Sequence, residues 1–256
     1  MNTQRYFLSL SYKGTNFCGW QIQPSDPSVQ ETLESAIGTI LNEQISVTGC
    51  GRTDTGVHAS YYVAHFDTEQ KIPARFVNSL NGVLPKDIAV FNVKAVDQEA
   101  HARFSAEERA YIYHITFKKD PFLTETAWFY PQYKSLKLEL LQEVADTLSR
   151  YTEFFPFCKS NSGLDNYRCT LKNIQWEVLP DEQGLKLHIS ANRFLRGMVR
   201  LIVGACIQTA QGKLTVQDID HALQTQQLLP KNLSVPPQGL FLCDVKYPDK
   251  VFPLHL

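Results

Sequence analysis

No apolar run in the chain reaches the roughly 18 residues that a membrane span needs, so a transmembrane helix is excluded. No two cysteines stand at C-x-x-C spacing. The six, at positions 18, 50, 158, 169, 206 and 243, are each isolated, which argues against a disulfide scaffold or a zinc ribbon. Reduced thiols in a cytoplasmic protein are the expectation. His58, His65, His101, His114, His188, His221 and His255 show no metal-ligand spacing and read as packing or surface residues. There is no P-loop and no G-x-G-x-x-G, hence no sign of nucleotide hydrolysis or of a redox cofactor. The opening MNTQRYFLSLSYKG has one arginine and no long apolar region or small-residue cleavage site, so no secretory signal is expected. Charge is scarce too. A net charge of −1 speaks against a basic coat that would bind any polyanion.

What is present is a globular composition, 43% hydrophobic and 20% charged, over 256 residues. That suits two domains of about 100–150 residues each, or one large one. The charge does not segregate by half: residues 1–105 carry 8 Lys+Arg against 10 Asp+Glu, and 106–256 carry 17 against 16. Locally it does. Between Ser190 and Gln217 stand Arg193, Arg196, Arg200 and Lys213 with no acid. A nucleic-acid site would therefore be a focused cleft.

Periodicity gives an element order. Tyr6, Leu8, Leu10 and Tyr12 alternate along a strand at 5–12. Ser28 followed by Glu31 is a capping-box signature, and Leu33, Ile37 and Ile40 continue it as a helix to about Asn42. Short strands are expected at 45–50 and 60–66, a helix opened by Pro73 and ending near Gly82, and a strand at 88–96. The second half repeats the order: a strand at 109–117, a helix at 136–150, an irregular stretch at 152–167, and strands near 171–179 and 185–191. A helix from about Phe194 to Gln211 is ended by Gly212, a shorter one starts at Thr215 with Asp218, and the last strand spans 240–247. Two ferredoxin-like βαββαβ units in tandem, an α+β fold, is the simplest assembly. The linker falls within 97–108, giving domains of 1–105 and 106–256.

The segment GRTDTGVHA at 51–59 carries the most chemistry. Glycines and threonines bracket Asp54 in a turn between strands, which can present one carboxylate at a sheet end. Arg52 is placed to keep it ionised. A structural Asx turn, with Asp54 accepting backbone N–H groups, fits the same composition. Asp54-Thr55-Gly56 is also the aspartic-protease tripeptide. That chemistry needs two carboxylates sharing a proton, and an adjacent arginine opposes the raised pKa it requires. In RAYIY, Tyr111 and Tyr113 share a strand face, suited either to a core or to stacking on a nucleobase. Arg193, Arg196 and Arg200 fall at i, i+3 and i+7 of the expected helix, on one face of an otherwise apolar segment. An arginine there points to a specific anion.

These segments together resemble the tRNA pseudouridine synthase A family. The match rests on YKGTNFCGWQ at 12–21, with Lys13 where the family usually has Asp, and on GRTDTGVHA. LPKDIAV at 84–90, HARFSAEERAYIY at 101–113, ANRFLRGMVRLIVG at 191–204 and VPPQGLFLCDVKYP at 235–248 follow in order. The resemblance implies the pseudouridine synthase fold, two ferredoxin-like halves around a central cleft. It implies conversion of uridine to pseudouridine in the anticodon arm of tRNA, at tRNA positions 38 to 40, by a homodimer that needs no cofactor and no metal. By matching motif positions it makes Asp54 the catalytic aspartate, Tyr111 the residue stacked on the target uracil, Arg200 the partner of the aspartate, and Arg52 the arginine that displaces and holds the flipped nucleotide. Arg193 and Arg196 remain candidates for phosphate contact. A non-catalytic tRNA-binding protein on the same fold is the alternative, which an intact Asp54, Tyr111 and Arg200 disfavour.

Overall fold

A computed structural model of the chain describes residues 3–159, 166–229 and 233–251. It divides into two compact units. One comprises the residues up to Arg109 together with those from Phe241 on, and the other comprises Ala110–Leu240. This grouping differs from a cut at residue 105, because the last strand returns to pair with the first unit.

In the first unit the order is β1 (Gln4–Tyr12), α1 (Val29–Leu41), β2 (Val47–Gly49), β3 (His58–Thr68), α2 (Phe76–Val83) and β4 (Ile88–Val96). This is the βαββαβ order. β1 lies between β4 and β3, antiparallel to both, with Leu8 opposite Ala64 on one side and Val93 on the other. β2 extends β3 as an antiparallel partner. The late strand β9 (Leu240–Lys246) joins β3 in parallel, pairing His58 with Phe241 and Ala59 with Leu242. β1 is central, so Phe7, Leu8, Ser9 and Leu10 are all buried, and its period-2 pattern marks two packed faces rather than one wet and one dry. α1 is capped by the Ser28 hydroxyl, which accepts from the Glu31 N–H, and ends at a left-handed Asn42. α2 begins three residues beyond Pro73: Pro73 to Phe76 make a separate turn, closed by the Phe76 N–H on the Pro73 carbonyl.

The second unit takes up most of β5 (Glu108–Thr116) and continues with β6 (Trp128–Phe129), α3 (Glu139–Leu148), β7 (Leu171–Val178), β8 (Gly184–Ala191), α4 (Met198–Ala210) and α5 (Val216–Thr225). β8 lies between β5 and β7, and β6 adds to β5 in parallel. α3 buries Leu141, Val144, Ala145 and Leu148 at helical spacing. Thr215 and Asp218 form a complete capping box on α5. Of the irregular stretch, Phe155–Phe157 is one 3₁₀ turn, and 160–165 lie outside the described residues.

One expected element is shorter. α4 starts at Met198, not at Phe194, because Gly197 sits in the left-handed region (φ 72°) just before it. Arg193 and Arg196 therefore precede the helix, and the single arginine face expected at i, i+3 and i+7 does not form. Of the three, only Arg200 is helical.

Candidate active site

The segment from Cys50 to Val57 links β2 to β3, and contacts from β3 and from the 12–21 segment hold it. The Tyr62 hydroxyl donates to the Gly51 carbonyl (2.5 Å). Tyr12 and Thr53 hydroxyls meet at 2.9 Å in a buried contact. The Trp20 N–H donates to the Thr53 carbonyl at 3.3 Å, and the Gly56 N–H to the Phe17 carbonyl at 3.4 Å. Behind these bonds the Trp20 and Tyr62 rings stack at 4.2 Å, with Tyr12 edge-on to Tyr62. The motif at 12–21 thus forms the wall against which the Asp54 loop is set.

That wall needs glycine. A Cβ on Gly14 would fall 2.0 Å from the Val57 carbonyl oxygen, and one on Gly19 would fall 2.2 Å from that of Thr53. Gly19 also has φ +82°, a conformation side chains rarely adopt. The peptide planes of the two motifs are in direct contact.

Within the loop, the Val57 N–H donates to the Asp54 carbonyl at 3.1 Å, with Gly56 left-handed at φ 76°. A left-handed third residue is what a type II turn requires. Thr53 is buried and Asp54 half-buried, whereas Arg52 and Thr55 are exposed. The acid sits between a residue anchored in the core and one open to solvent. His58 is buried against Phe241, and its Nδ1 accepts the Gly14 N–H at 2.9 Å. Two more sequence motifs join the same unit. The Lys13 N–H donates to the Asp87 carbonyl, and the Asn16 amide to the Asp87 carboxylate. Arg109 donates to the carbonyls of Ala106 and Cys50 at 2.9 Å, and to that of Arg103. Composition and periodicity single out none of Tyr62, Trp20 or Arg109 as site supports. Their only sequence signal is membership of the motifs at 12–21 and 101–113, or of the strand beside them.

In the second unit Tyr111 is half-buried on β5, its ring edge-to-face with Phe194 at 5.1 Å. Its neighbour Tyr113 is fully buried and donates to the Pro236 carbonyl at 2.7 Å. Burial pushes the Tyr113 hydroxyl's pKa strongly upward, against the opposing charge of Arg200. Arg200 donates from Nε to the Val235 carbonyl at 2.7 Å. Gly204, one turn on, lies so close to Leu233 that a Cβ would meet its carbonyl oxygen at 1.6 Å. The motifs at 101–113, 191–204 and 235–248 therefore converge in this unit on the segment 233–236. Arg193 is partly buried and reaches the Asn166 side chain at 3.2 Å. Arg196 is exposed, and its carbonyl accepts the Lys159 N–H. Tyr111 and Arg200 thus belong to one unit, and Asp54 and Arg52 to the other.

Among the described residues no group of three or more His, Cys, Asp or Glu side chains is arranged to hold a metal ion. None of the described helices is long and apolar enough to cross a membrane.

The chain matches the family model described as tRNA pseudouridine synthase over residues 9–105 and 152–248. It is 42% identical over 251 residues to the tRNA pseudouridine synthase A of Bacteroides thetaiotaomicron, covering 97% of this chain and 93% of that one. To the same-named protein of Azobacteroides pseudotrichonymphae it is 38% identical, covering 97% and 98% of the two chains. To that of Aquifex aeolicus it is 36% identical, covering 93% and 97%. The irregular stretch at 152–167 falls inside the second matched segment.

Proposed function

Because the chain belongs to the tRNA pseudouridine synthase family, and is an isomerase that converts uridine to pseudouridine in tRNA, we propose that Asp54 is its catalytic carboxylate. The observation that carries this reading is the Asp54 loop itself, fixed on both sides by main-chain contacts while the acid stays half-buried beside an exposed arginine.

The reaction breaks the N1–C1′ bond, turns the uracil and forms C5–C1′. The proton lost from C5 is balanced by one gained at N1. No electrons are exchanged with a carrier, so the chain's own side chains suffice. A uridine stacked in an RNA arm is out of reach until flipped. Arg52, exposed two residues from Asp54, is proposed to displace and hold the flipped nucleotide. Asp54 acts in its ionised form, by attack or by deprotonation, which suits an arginine partner. Arg200 is that partner in this reading. Its Nε bond to the Val235 carbonyl anchors the side chain within the second unit. Tyr111, propped edge-on by Phe194, stacks on the uracil and retains it while it turns. Arg193 and Arg196 are assigned to phosphates. The tRNA target is the anticodon arm at positions 38 to 40, and the working form is a homodimer.

The test is Asp54→Asn, which keeps the turn and removes the charge. Pseudouridine formation in single turnover is lost while tRNA affinity stays within several-fold. Activity within about tenfold of wild type, some 1.4 kcal/mol of barrier, would remove Asp54 from the chemistry. For the arginines, tRNA affinity should fall with salt at a log–log slope of about 3 or more, each phosphate contact adding roughly 0.7–0.9. Arg193→Ala and Arg196→Ala each lower that slope by about one, whereas Arg200→Ala lowers the rate.

A further inference from the structure

Phe104 is 76% exposed, and an isolated exposed phenylalanine on a mobile loop would call for no explanation. This one is not on a mobile support. His101 opens a single turn in which its Nδ1 accepts the N–H groups of both Arg103 and Phe104, at 3.1 and 3.2 Å. Ser105 closes the turn on both sides, its hydroxyl accepting the His101 N–H and its own N–H reaching the His101 carbonyl. Underneath, the buried His65 accepts the Ala102 N–H at 3.1 Å, and the Tyr247 hydroxyl donates to the Ala102 carbonyl at 2.6 Å. The rings continue the same line outward. His65 packs edge-on to His101 at 4.7 Å, and His101 packs against Phe104 at 4.4 Å. Phe104 is the solvent end of a column of three rings rooted in the core. The Arg103 guanidinium lies over its ring, 5.6 Å from the centroid.

The turn is also tied to the Asp54 loop. One arginine nitrogen, Nη2 of Arg109, donates to the carbonyl of Arg103 in this turn and to the carbonyl of Cys50 at the root of that loop. A rigid exposed π-face, an adjacent exposed cation and a fixed position relative to the Asp54 loop are the parts of a nucleotide-stacking post.

We propose that Phe104 and Arg103 form a second RNA contact, in which Phe104 stacks on an unpaired base of the tRNA other than the target uridine and Arg103 swings to a phosphate beside it. A base arriving on the ring displaces the guanidinium from the π-face, and the nearest compensation is the phosphate of the nucleotide it belongs to. Arg109 is then a positioning residue that fixes the post against the Asp54 loop. The inference rests on the tRNA-modifying reading above.

The experiment uses the full-length protein and its tRNA substrate, with affinity, KM and kcat measured for Phe104→Ala, Phe104→Leu, Phe104→Tyr, Arg103→Ala and Arg109→Lys. Phe104→Ala weakens affinity about five- to 150-fold, the range for loss of one stacked base. Phe104→Leu shares the loss because it keeps bulk without a π-face, and Phe104→Tyr restores affinity. Arg103→Ala lowers the salt slope by about 0.7–0.9. Arg109→Lys, whose compact ammonium lacks the planar fork that reaches Ala106, Cys50 and Arg103 together, raises KM and lowers kcat together. Wild-type affinity in Phe104→Ala overturns the proposal, as does full affinity in Phe104→Leu. So does a change in protomer number on sedimentation that accounts for the loss, since Phe104 would then be a contact between copies of the chain. Should Phe104→Ala melt early, the Leu and Tyr variants decide alone. Failure of the underlying reading looks different: wild-type protein would then form no pseudouridine at all.

Discussion

Replacing Gly19 with alanine tests the account of the Asp54 loop through a residue that touches neither substrate nor acid. The new Cβ would lie 2.2 Å from the Thr53 carbonyl oxygen and 3.1 Å from the Asp54 carbonyl carbon, where ordinary contact begins at 3.4 Å. The obstacle is backbone on both sides, so no flexible side chain can yield. The Thr53–Asp54 peptide must move by about an ångström, or the 12–21 segment must. Holding alanine at φ +82° adds roughly 1–2 kcal/mol of strain. Overpacking adds about 1–3 kcal/mol. The sum, about 2–5 kcal/mol, lowers the melting temperature by roughly 5–15 °C for a chain of this size. With Asp54 in its proposed role, the larger effect falls on catalysis. An ångström of displacement at the reacting group costs about a hundredfold in rate, so kcat should drop by that order at temperatures where the variant is fully folded. Gly51→Ala is the matched control, since nothing lies within 4 Å of its Cβ and its φ is ordinary. Its stability should change by less than about 0.5 kcal/mol. Thermal melts and single-turnover rates on both variants settle the matter. Gly19→Ala with wild-type melting and rate would refute the argument, and equal damage from Gly51→Ala would show that the loop's sensitivity is not steric.

Gly82 lies exposed inside α2 with open space at its Cβ, so Gly82→Ala should stabilise the protein by about 0.5–1 kcal/mol in denaturant titration. Tyr113→Phe leaves the Pro236 carbonyl without its donor and should cost about 1–3 kcal/mol of stability. In the proposed site Tyr111→Phe keeps the stacked ring, so a rate loss there much larger than that of Tyr113→Phe would mark the Tyr111 hydroxyl as a proton carrier. The His65 imidazole is held down to about 4, first by burial, then by the charges of Arg5 and His101, with Asp67 acting in the opposite sense. Its folded pKa lies below its unfolded value, so this contribution is complete above about pH 6.5 and is lost as the pH falls toward 4. His101 is lowered too, by burial and then by Arg5 and Arg103, and adds to the same slope. Melting temperatures should fall as the pH is lowered across that window, and a flat profile would count against the neutral His65–His101 pair.

Local rules carried much of this fold. Ser28, Thr215 and Gly212 mark helix ends by the chemistry of a single cap, and those ends were legible from a few neighbouring residues. The order of the longer strands and helices followed from period together with those caps, whereas the two-residue β6 was not among the expected elements. The start of α4 did not, because the apolar spacing of Phe194, Leu195, Met198 and Val199 continues through Gly197, and only that residue's left-handed backbone breaks the helix. Likewise Pro73 suits a helix start, but its turn closes on Phe76 before the helix begins. At the site, the residue types of GRTDTGVHA named Asp54 and Arg52 from composition. The grip on that loop comes from Tyr12, Trp20 and Tyr62 through contacts between residues some ten to forty positions apart. No window of the sequence contains such contacts, and only the fold brings them together.

The return of the last strand to the first unit has a consequence for the order in which the protein can be made. β3 takes β9 as its parallel neighbour, and the ring of His58, which closes the Asp54 loop on one side, packs on Phe241. When Arg109 leaves the ribosome, the strand that completes its unit has not been synthesised. At about 5–20 residues per second the delay until Phe241 is made is roughly 7–26 s. During that time the open edge of β3 and the apolar faces that meet Phe241, Leu242 and Tyr247 are exposed on a nascent chain. The first unit therefore cannot finish folding vectorially, and the His58 ring at the end of the Asp54 loop is covered by Phe241 only once the chain is nearly complete. Moving the β9 segment ahead of β1 by circular permutation would remove the wait.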